Sequence, residues 1–177
     1  LRFGQAVESS KFNFPGSIPG LGTLIMRYQA KSYSCGAASI VNTLRCFGKK
    51  IAEHHIWPLA NTNEHGTDEN GIIAALSYLG YSTSIIASNT RKEAIWELDQ
   101  ALALFPVILS VQQDRHWVTV ISKTCGRYVV IDPANTDRSI RENGVYIMNK
   151  NELLKYWLHP YGEPAKYYGI IVRGKIV

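Results

Sequence analysis

The order of apolar patterns in this sequence predicts an α+β fold, with an N-terminal helical lobe packed on a mostly antiparallel β-sheet lobe. Three observations carry that expectation. Helical spacing of apolar residues dominates between residues 35 and 104. β-branched and aromatic runs dominate after Pro106. The segment Lys123-Thr124-Cys125-Gly126 reads as a hairpin turn joining two of those runs, which makes them antiparallel neighbours.

Residues 1–22 are rich in Gly, Pro and Ser (FPGSIPGLG) and read as an irregular lead-in over 1–24, ahead of a single domain over 25–177. The first helix is expected over Cys35–Phe47, with Ala37, Ile40, Val41, Leu44 and Phe47 at helical spacing. Ser34 is placed to cap it, its hydroxyl accepting from a free first-turn amide, and Gly48 to stop it. A short helix over Ala52–Ala60 follows, interrupted at Pro58. Thr67 starts a third helix whose first turn holds Asp68 and Glu69, where negative charge is favoured. Its buried face is Ile72, Ile73, Leu76 and Leu79; Gly80 ends it, and Tyr81–Ala87 is a strand.

Thr90 with Glu93 is a capping-box pattern that opens a helix through Leu104, with Ala94, Ile95, Leu98, Ala101 and Leu102 as its buried stripe. Beyond Pro106, VILSV, HWVTVIS and RYVVI read as strands, and Val145–Met148 as another. Asn151–Leu158 is a short helix and Gly169–Val172 a last strand.

Composition narrows the function classes. A chain of 177 residues, 46% hydrophobic and 19% charged, is long and apolar enough to bury a core and is not a disordered one. No apolar run approaches the ~20 residues of a membrane-spanning helix. The opening residues lack the apolar centre of a signal peptide, and a chain that begins at Leu1 leaves room for a segment removed upstream. The net charge of +5 is scattered over the chain, at Arg27, Lys31, Lys49, Lys50, Arg91, Lys92, Arg115 and Arg138 among others. Nucleic-acid binding wants a clustered basic run with aromatics, so no nucleic-acid partner is expected.

Cys35, Cys46 and Cys125 are too few, and odd in number, for a disulfide framework. They fit a reducing compartment such as the cytoplasm. His54, His55 and His65 with Glu64 fit no familiar zinc spacing, so no metal or other cofactor is expected. Those histidines and His159 read as exposed. Trp57, Trp96 and Trp157 read as lobe-packing residues, Cys46 as core and Cys125 as a turn residue.

Four residues form a candidate chemical constellation. Cys35 stands at an expected helix start, where free amides and the helix dipole favour a thiolate, the nucleophilic form. Gln29 lies six residues earlier; if the loop AKSYS folds back, its amide and the Cys35 backbone N–H would make an oxyanion hole. His116 opens a strong strand, where its ring can face a cleft while Trp117 faces the other way. Asp132 follows the strand RYVVI; if that strand pairs with HWVTVIS through the turn at 123–126, Asp132 lies beside His116 and can fix its tautomer. Asp-Pro-Ala-Asn is also a good turn sequence, and the two readings are compatible. Asp114, close to His116, is a rival for the orienting role; paired strand ends favour Asp132.

The run Gln29-Ala-Lys-Ser-Tyr-Ser-Cys35-Gly36-Ala37-Ala38 resembles the nucleophile segment of papain-like cysteine peptidases. Pro106-Val-Ile-Leu-Ser, His116-Trp117-Val118 and Val130-Ile-Asp132-Pro133 resemble the second half of the same site. Within that superfamily the sequence is most similar to the bacteriocin-processing (double-glycine leader) peptidases and their stand-alone relatives, over roughly residues 25–150. In those peptidases an acidic residue usually precedes the nucleophile; here it is Ser34. The resemblance implies a papain-like fold with its active site at the seam of the two lobes. It also implies a peptide or protein substrate, and acyl transfer through Cys35, His116, Asp132 and Gln29 by a thioester acyl-enzyme. A deamidase or an acyl- or transpeptidase would use the same thiol site, and a catalytically idle peptide-binding module would retain it by descent.

Overall fold

The computed structural model describes residues 26–113, 115–134, 144–160 and 165–175. The lead-in expected over 1–24, and Asp114, lie outside them. The elements run α1 (Cys35–Cys46), α2 (Glu53–Leu59), α3 (Glu69–Tyr78), β1 (Tyr81–Ser88), α4 (Arg91–Leu102), β2 (Val107–Val111), β3 (His116–Thr124), β4 (Arg127–Ile131), β5 (Val145–Asn149), α5 (Lys150–Trp157) and β6 (Tyr167–Lys175).

The strands form one sheet in the order β1-β6-β2-β3-β4-β5, and every neighbouring pair is antiparallel. The central hairpin pairs Thr124 with Arg127. Its two turn residues, Cys125 (φ 50°) and Gly126 (φ 72°), both have positive φ, as a type I′ turn matched to strand twist requires. β6 lands between β1 and β2, so the end of the chain joins the strand of the helical half to the strands of the second half.

Alternation along the strands separates two cores. Trp117 on β3, with Ile108 and Ile170, packs under Ile40, Val41, Leu44, Ile56, Ile72 and Leu76 of α1–α3. The next residue, Val118, with Val120 and Val130, faces α4 and α5 through Leu98, Leu153 and Trp157. Helices therefore cover both faces of the sheet: the expected helical lobe on one, α4 and α5 on the other.

Several expected boundaries move for local reasons. α3 begins at Glu69 and not at Thr67, because Asp68 is its cap and accepts from Gly71 N at 2.7 Å. α4 starts as expected, with Thr90 Oγ accepting from Glu93 N, but ends at Leu102, leaving Leu104 exposed. α2 closes at Leu59 with Pro58 inside its last turn. α5 is opened by a capping box at Asn149 and Glu152.

Two side-chain expectations are corrected. His159 is buried, not exposed: the chain turns there from α5 toward β6, tucking the ring against β2 with Nε2 at 3.1 Å from the Ser110 carbonyl. Trp96 is exposed on α4, off the stripe formed by Ala94, Leu98 and Ala101.

Trp157 ties α5 to β6 most completely. Its indole N–H donates to the Tyr168 carbonyl at 2.7 Å, and its ring meets that of Tyr167 edge-on at 5.4 Å with no exposed surface. Trp157→Ala is expected to cost about 3–5 kcal/mol of stability, read as a lower urea midpoint at unchanged slope.

Candidate active site

Cys35 is the first residue of α1, and the local sequence accounts for its setting. The hydroxyl of Ser34 does not cap the helix as expected. It bends back into the preceding loop, accepting from Lys31 N and donating to Lys31 O, both at 3.0 Å. The first turn of α1 is thus left uncapped by that side chain, with the positive end of the helix dipole at the sulfur.

Gly36 explains how close the rest of the structure comes. A Cβ at that position would lie 2.6 Å from Thr67 Cβ, so only glycine lets the start of α1 meet the segment leading into α3. Thr67 is buried, bonds Thr62 through the hydroxyls at 2.8 Å, and accepts the Trp117 indole N–H at its carbonyl at 2.8 Å. A single residue therefore touches the neighbour of Cys35 on one side and the neighbour of His116 on the other. Farther along the interface, Ser39 Oγ donates to the Trp117 carbonyl at 2.9 Å and Thr119 Oγ donates to the Ser39 carbonyl at 3.1 Å.

His116, Asp132 and Cys35 come together at the end of the sheet. His116 Nε2 is 2.6 Å from Asp132 Oδ1, and both side chains are buried. The Cys35 thiol lies close enough to the ring to raise its pKa. Burial pulls the imidazolium down, but bonds and charge from Asp132 and Cys35 outweigh it and hold His116 at about 9. Asp132 Oδ1 accepts a second bond from Ala134 N at 2.8 Å, an Asx-turn contact, so one carboxylate oxygen serves both the turn and the imidazole. Tyr156 Oη donates to Asp132 Oδ2 at 3.2 Å from α5; nothing in the sequence pattern marks Tyr156 beyond its place on an amphipathic helix.

The segment carrying Gln29 is held between the two halves of the fold. Arg27 exchanges backbone bonds with the Asn42 side chain of α1 at 2.8 and 2.9 Å. Gln29 N donates to the carbonyl of Pro133, the residue after Asp132, at 2.8 Å. The Gln29 side-chain amide donates to the Lys31 and Ser32 carbonyls at 2.8 and 2.9 Å, and its Oε1 is buried without a hydrogen bond.

The other cysteines are set apart. Cys46 is partly buried eleven residues along α1, its thiol directed at the Asn42 carbonyl and pushed by burial up to about 12. Cys125 is exposed at the hairpin turn, and all three thiols are free. Among the described residues, no group of three or more His, Cys, Asp or Glu could hold a metal ion, and no helix is long and apolar enough to cross a membrane.

A buried thiol at a helix start, facing an imidazole on an antiparallel sheet, is the arrangement of a papain-like cysteine peptidase. Residues 24–159 match the model of the Peptidase C39 family, and the chain belongs to that family. It is similar to two uncharacterized proteins of archaea. One, from Methanothermobacter thermautotrophicus, is 38% identical over 34% of this chain and 42% of its own length, so the match spans less than half of that relative. The other, from Methanothermobacter marburgensis, is 32% identical over 60% of this chain and 77% of its own length. Among solved structures, the peptidase domain of Streptococcus ComA, a bi-functional ABC transporter, aligns with a TM-score of 0.65 at 20% identity, over 84% of this chain and 97% of that domain. A double glycine motif protease from an AMS/PCAT transporter, solved in complex with the leader peptide, aligns at 0.63 and 15% identity, over 84% and 89%. At such identities these likenesses speak for the fold.

Two outcomes follow from the geometry. Gly36→Ala should lift the start of α1 off Thr67, lowering stability by about 1–3 kcal/mol in urea unfolding. The raised pKa of His116 makes stability depend on pH with a definite sign. The contribution is fully present below the unfolded value of 6.5 and is lost as pH rises through about 9. Urea midpoints of the native protein should therefore fall between pH 6.5 and pH 9, and Asp132→Asn should flatten that slope.

Proposed function

We propose that this cysteine peptidase cleaves a peptide or protein chain with Cys35 as nucleophile, His116 as proton carrier and Asp132 as the group orienting His116. The observation that carries the reading is the His116 ring itself, buried, 2.6 Å from a carboxylate and near enough to the Cys35 thiol for the two to act on each other's charge. With His116 held at about 9, the ring carries a proton at neutral pH, and an imidazolium beside a sulfur favours the thiolate.

On this reading the Cys35 sulfur attacks the scissile carbonyl, and the oxygen becomes an oxyanion. His116 gives its proton to the leaving amine as the C–N bond breaks, leaving a thioester. His116 then takes a proton from water; the hydroxide attacks the thioester, the acid departs, and the thiolate–imidazolium pair returns. The Cys35 backbone N–H, at the open start of α1 where the first amides have no partner within the helix, is the first donor to the oxyanion.

Gln29 is the second donor we assign. Both of its amide hydrogens are bonded to loop carbonyls, so it serves the oxyanion by exchanging one of them. A fold neighbour solved in complex with the leader peptide supports a peptide as the substrate.

Iodoacetamide near neutral pH should label Cys35 faster than the exposed Cys125 and leave Cys46 unlabelled, with His116→Ala abolishing the advantage of Cys35. Equal rates at Cys35 and Cys125 would favour an idle binding module. Gln29→Ala should slow acylation by a peptide substrate about 10²-fold while sparing alkylation, which forms no oxyanion. Intact-mass analysis of the product separates chain scission from deamidation.

A further inference from the structure

We propose that Tyr156, held by Gln112, is a positioning residue for the reaction: its hydroxyl fixes Asp132 in the orientation from which the carboxylate holds His116. The proposal rests on the assignment of Asp132 and His116 made above.

The contacts form one chain that converges on Asp132. Gln112 Nε2 donates to Tyr156 Oη at 3.2 Å. Tyr156 Oη donates to Asp132 Oδ2 at 3.2 Å, and Asp132 Oδ1 meets His116 Nε2 at 2.6 Å. Gln112 and Tyr156 donate toward Asp132 from one side, and the imidazole donates to it from the other. Oδ1 takes Ala134 N and the imidazole, and the Tyr156 bond at Oδ2 adds a restraint on rotation of the carboxylate plane about those two.

The outer end of the chain is anchored twice. Gln112 N also donates to the Tyr156 carbonyl at 3.1 Å, so one residue grips both ends of Tyr156. Gln112 and Gln113 do this from an unfavourable backbone, with φ of 54° and 61° at non-glycine positions in the β2–β3 connection. Left-handed backbone at non-glycine residues costs energy and persists where the surroundings enforce it. Here it brings the Gln112 amide onto Tyr156.

The phenol suits a permanent donor. Burial first, and then the Asp132 charge, raise its pKa well above the usual range, so it keeps its proton. Other polar groups near it are Tyr146, and Glu152 and Lys155, which line a cavity of about 590 Å³ with Gln112 and Tyr156. Tyr156→Phe keeps the ring and removes only the hydroxyl, so it is a mild change for packing.

The test uses two probes that need no substrate: iodoacetamide alkylation of Cys35 as a function of pH, and NMR titration of the His116 ring, in native protein, Tyr156→Phe, Gln112→Ala and Asp132→Asn. Positioning predicts that Tyr156→Phe lets the carboxylate turn away. The His116 pKa should then fall by about half a unit or more and the neutral-pH alkylation rate by about threefold. Gln112→Ala should shift both in the same direction by less, and the double variant should add nothing beyond Tyr156→Phe. A His116 titration that stays put while Tm falls makes Tyr156 a packing residue and overturns the proposal. A His116 pKa that rises also overturns it, since Tyr156 then only draws charge from the carboxylate. If Asp132→Asn itself leaves both probes unchanged, the assignment of Asp132 fails first and the proposal with it.

Discussion

The meeting of Thr67 with Gly36 and Trp117 is the constraint on which the rest of the site depends. Cys35 and His116 are eighty-one residues apart and belong to different halves of the chain, so nothing local brings them together. Thr67 does it by offering two surfaces. Its side chain closes on a helix start that has no Cβ to resist it, and its carbonyl takes the indole N–H of the residue next to the histidine. A buried indole donor left unpaired would cost about 1–3 kcal/mol, so the bond enforces register as well as adding contact. The buried bonds among Ser39, Trp117 and Thr119 repeat the same fastening farther from the site.

The geometry also uses the ends of the sheet. Strand alternation sends Trp117 toward α1 and Val118 toward α4 and α5, so a histidine at the strand's first position turns its side chain away from Trp117, at the end of the sheet. Its ring reaches Cys35, which packs with α1, and Asp132, which is gripped by Tyr156 from α5. Burial alone would drive the imidazole toward its neutral form. The carboxylate and thiol reverse this, and they can because neither is left to water: Asp132 has accepted bonds at both oxygens.

Much of this was legible in the sequence, for identifiable reasons. The periodicities around Ala37–Leu44 and Val107–Ile131 report burial directly, and the Cys125-Gly126 turn fixes a hairpin that carries Asp132 toward His116. What escaped was non-local. β6 inserts between β1 and β2, a topology that no periodicity encodes. His159 is polar and near Pro160, which reads as a loop, yet tertiary packing buries it against Ser110. Trp96 looked like core by type, while helical phase puts it outside. Tyr156 looks like any aromatic on a short amphipathic helix until the fold brings Asp132 beneath its hydroxyl.

Ser34 shows why local rules give way where chemistry is at stake. A serine before a helix ordinarily caps it, and loss of such a bond costs about 1 kcal/mol. Here the hydroxyl spends both its donor and an acceptor site on Lys31, stiffening the loop that descends from Gln29. Gln29 braces the same loop through Lys31 and Ser32 and ties its own backbone to Pro133. The stability given up at the helix cap is therefore partly recovered in the loop, and the first-turn amides are not closed off by a neighbouring oxygen. On the proposed reading those amides face a charge that exists only during reaction. A side-chain cap on Gly36 or Ala37 would set a second oxygen beside the Cys35 amide and compete with the oxyanion for the positive end of the helix, and an interaction already made in the ground state lowers no barrier.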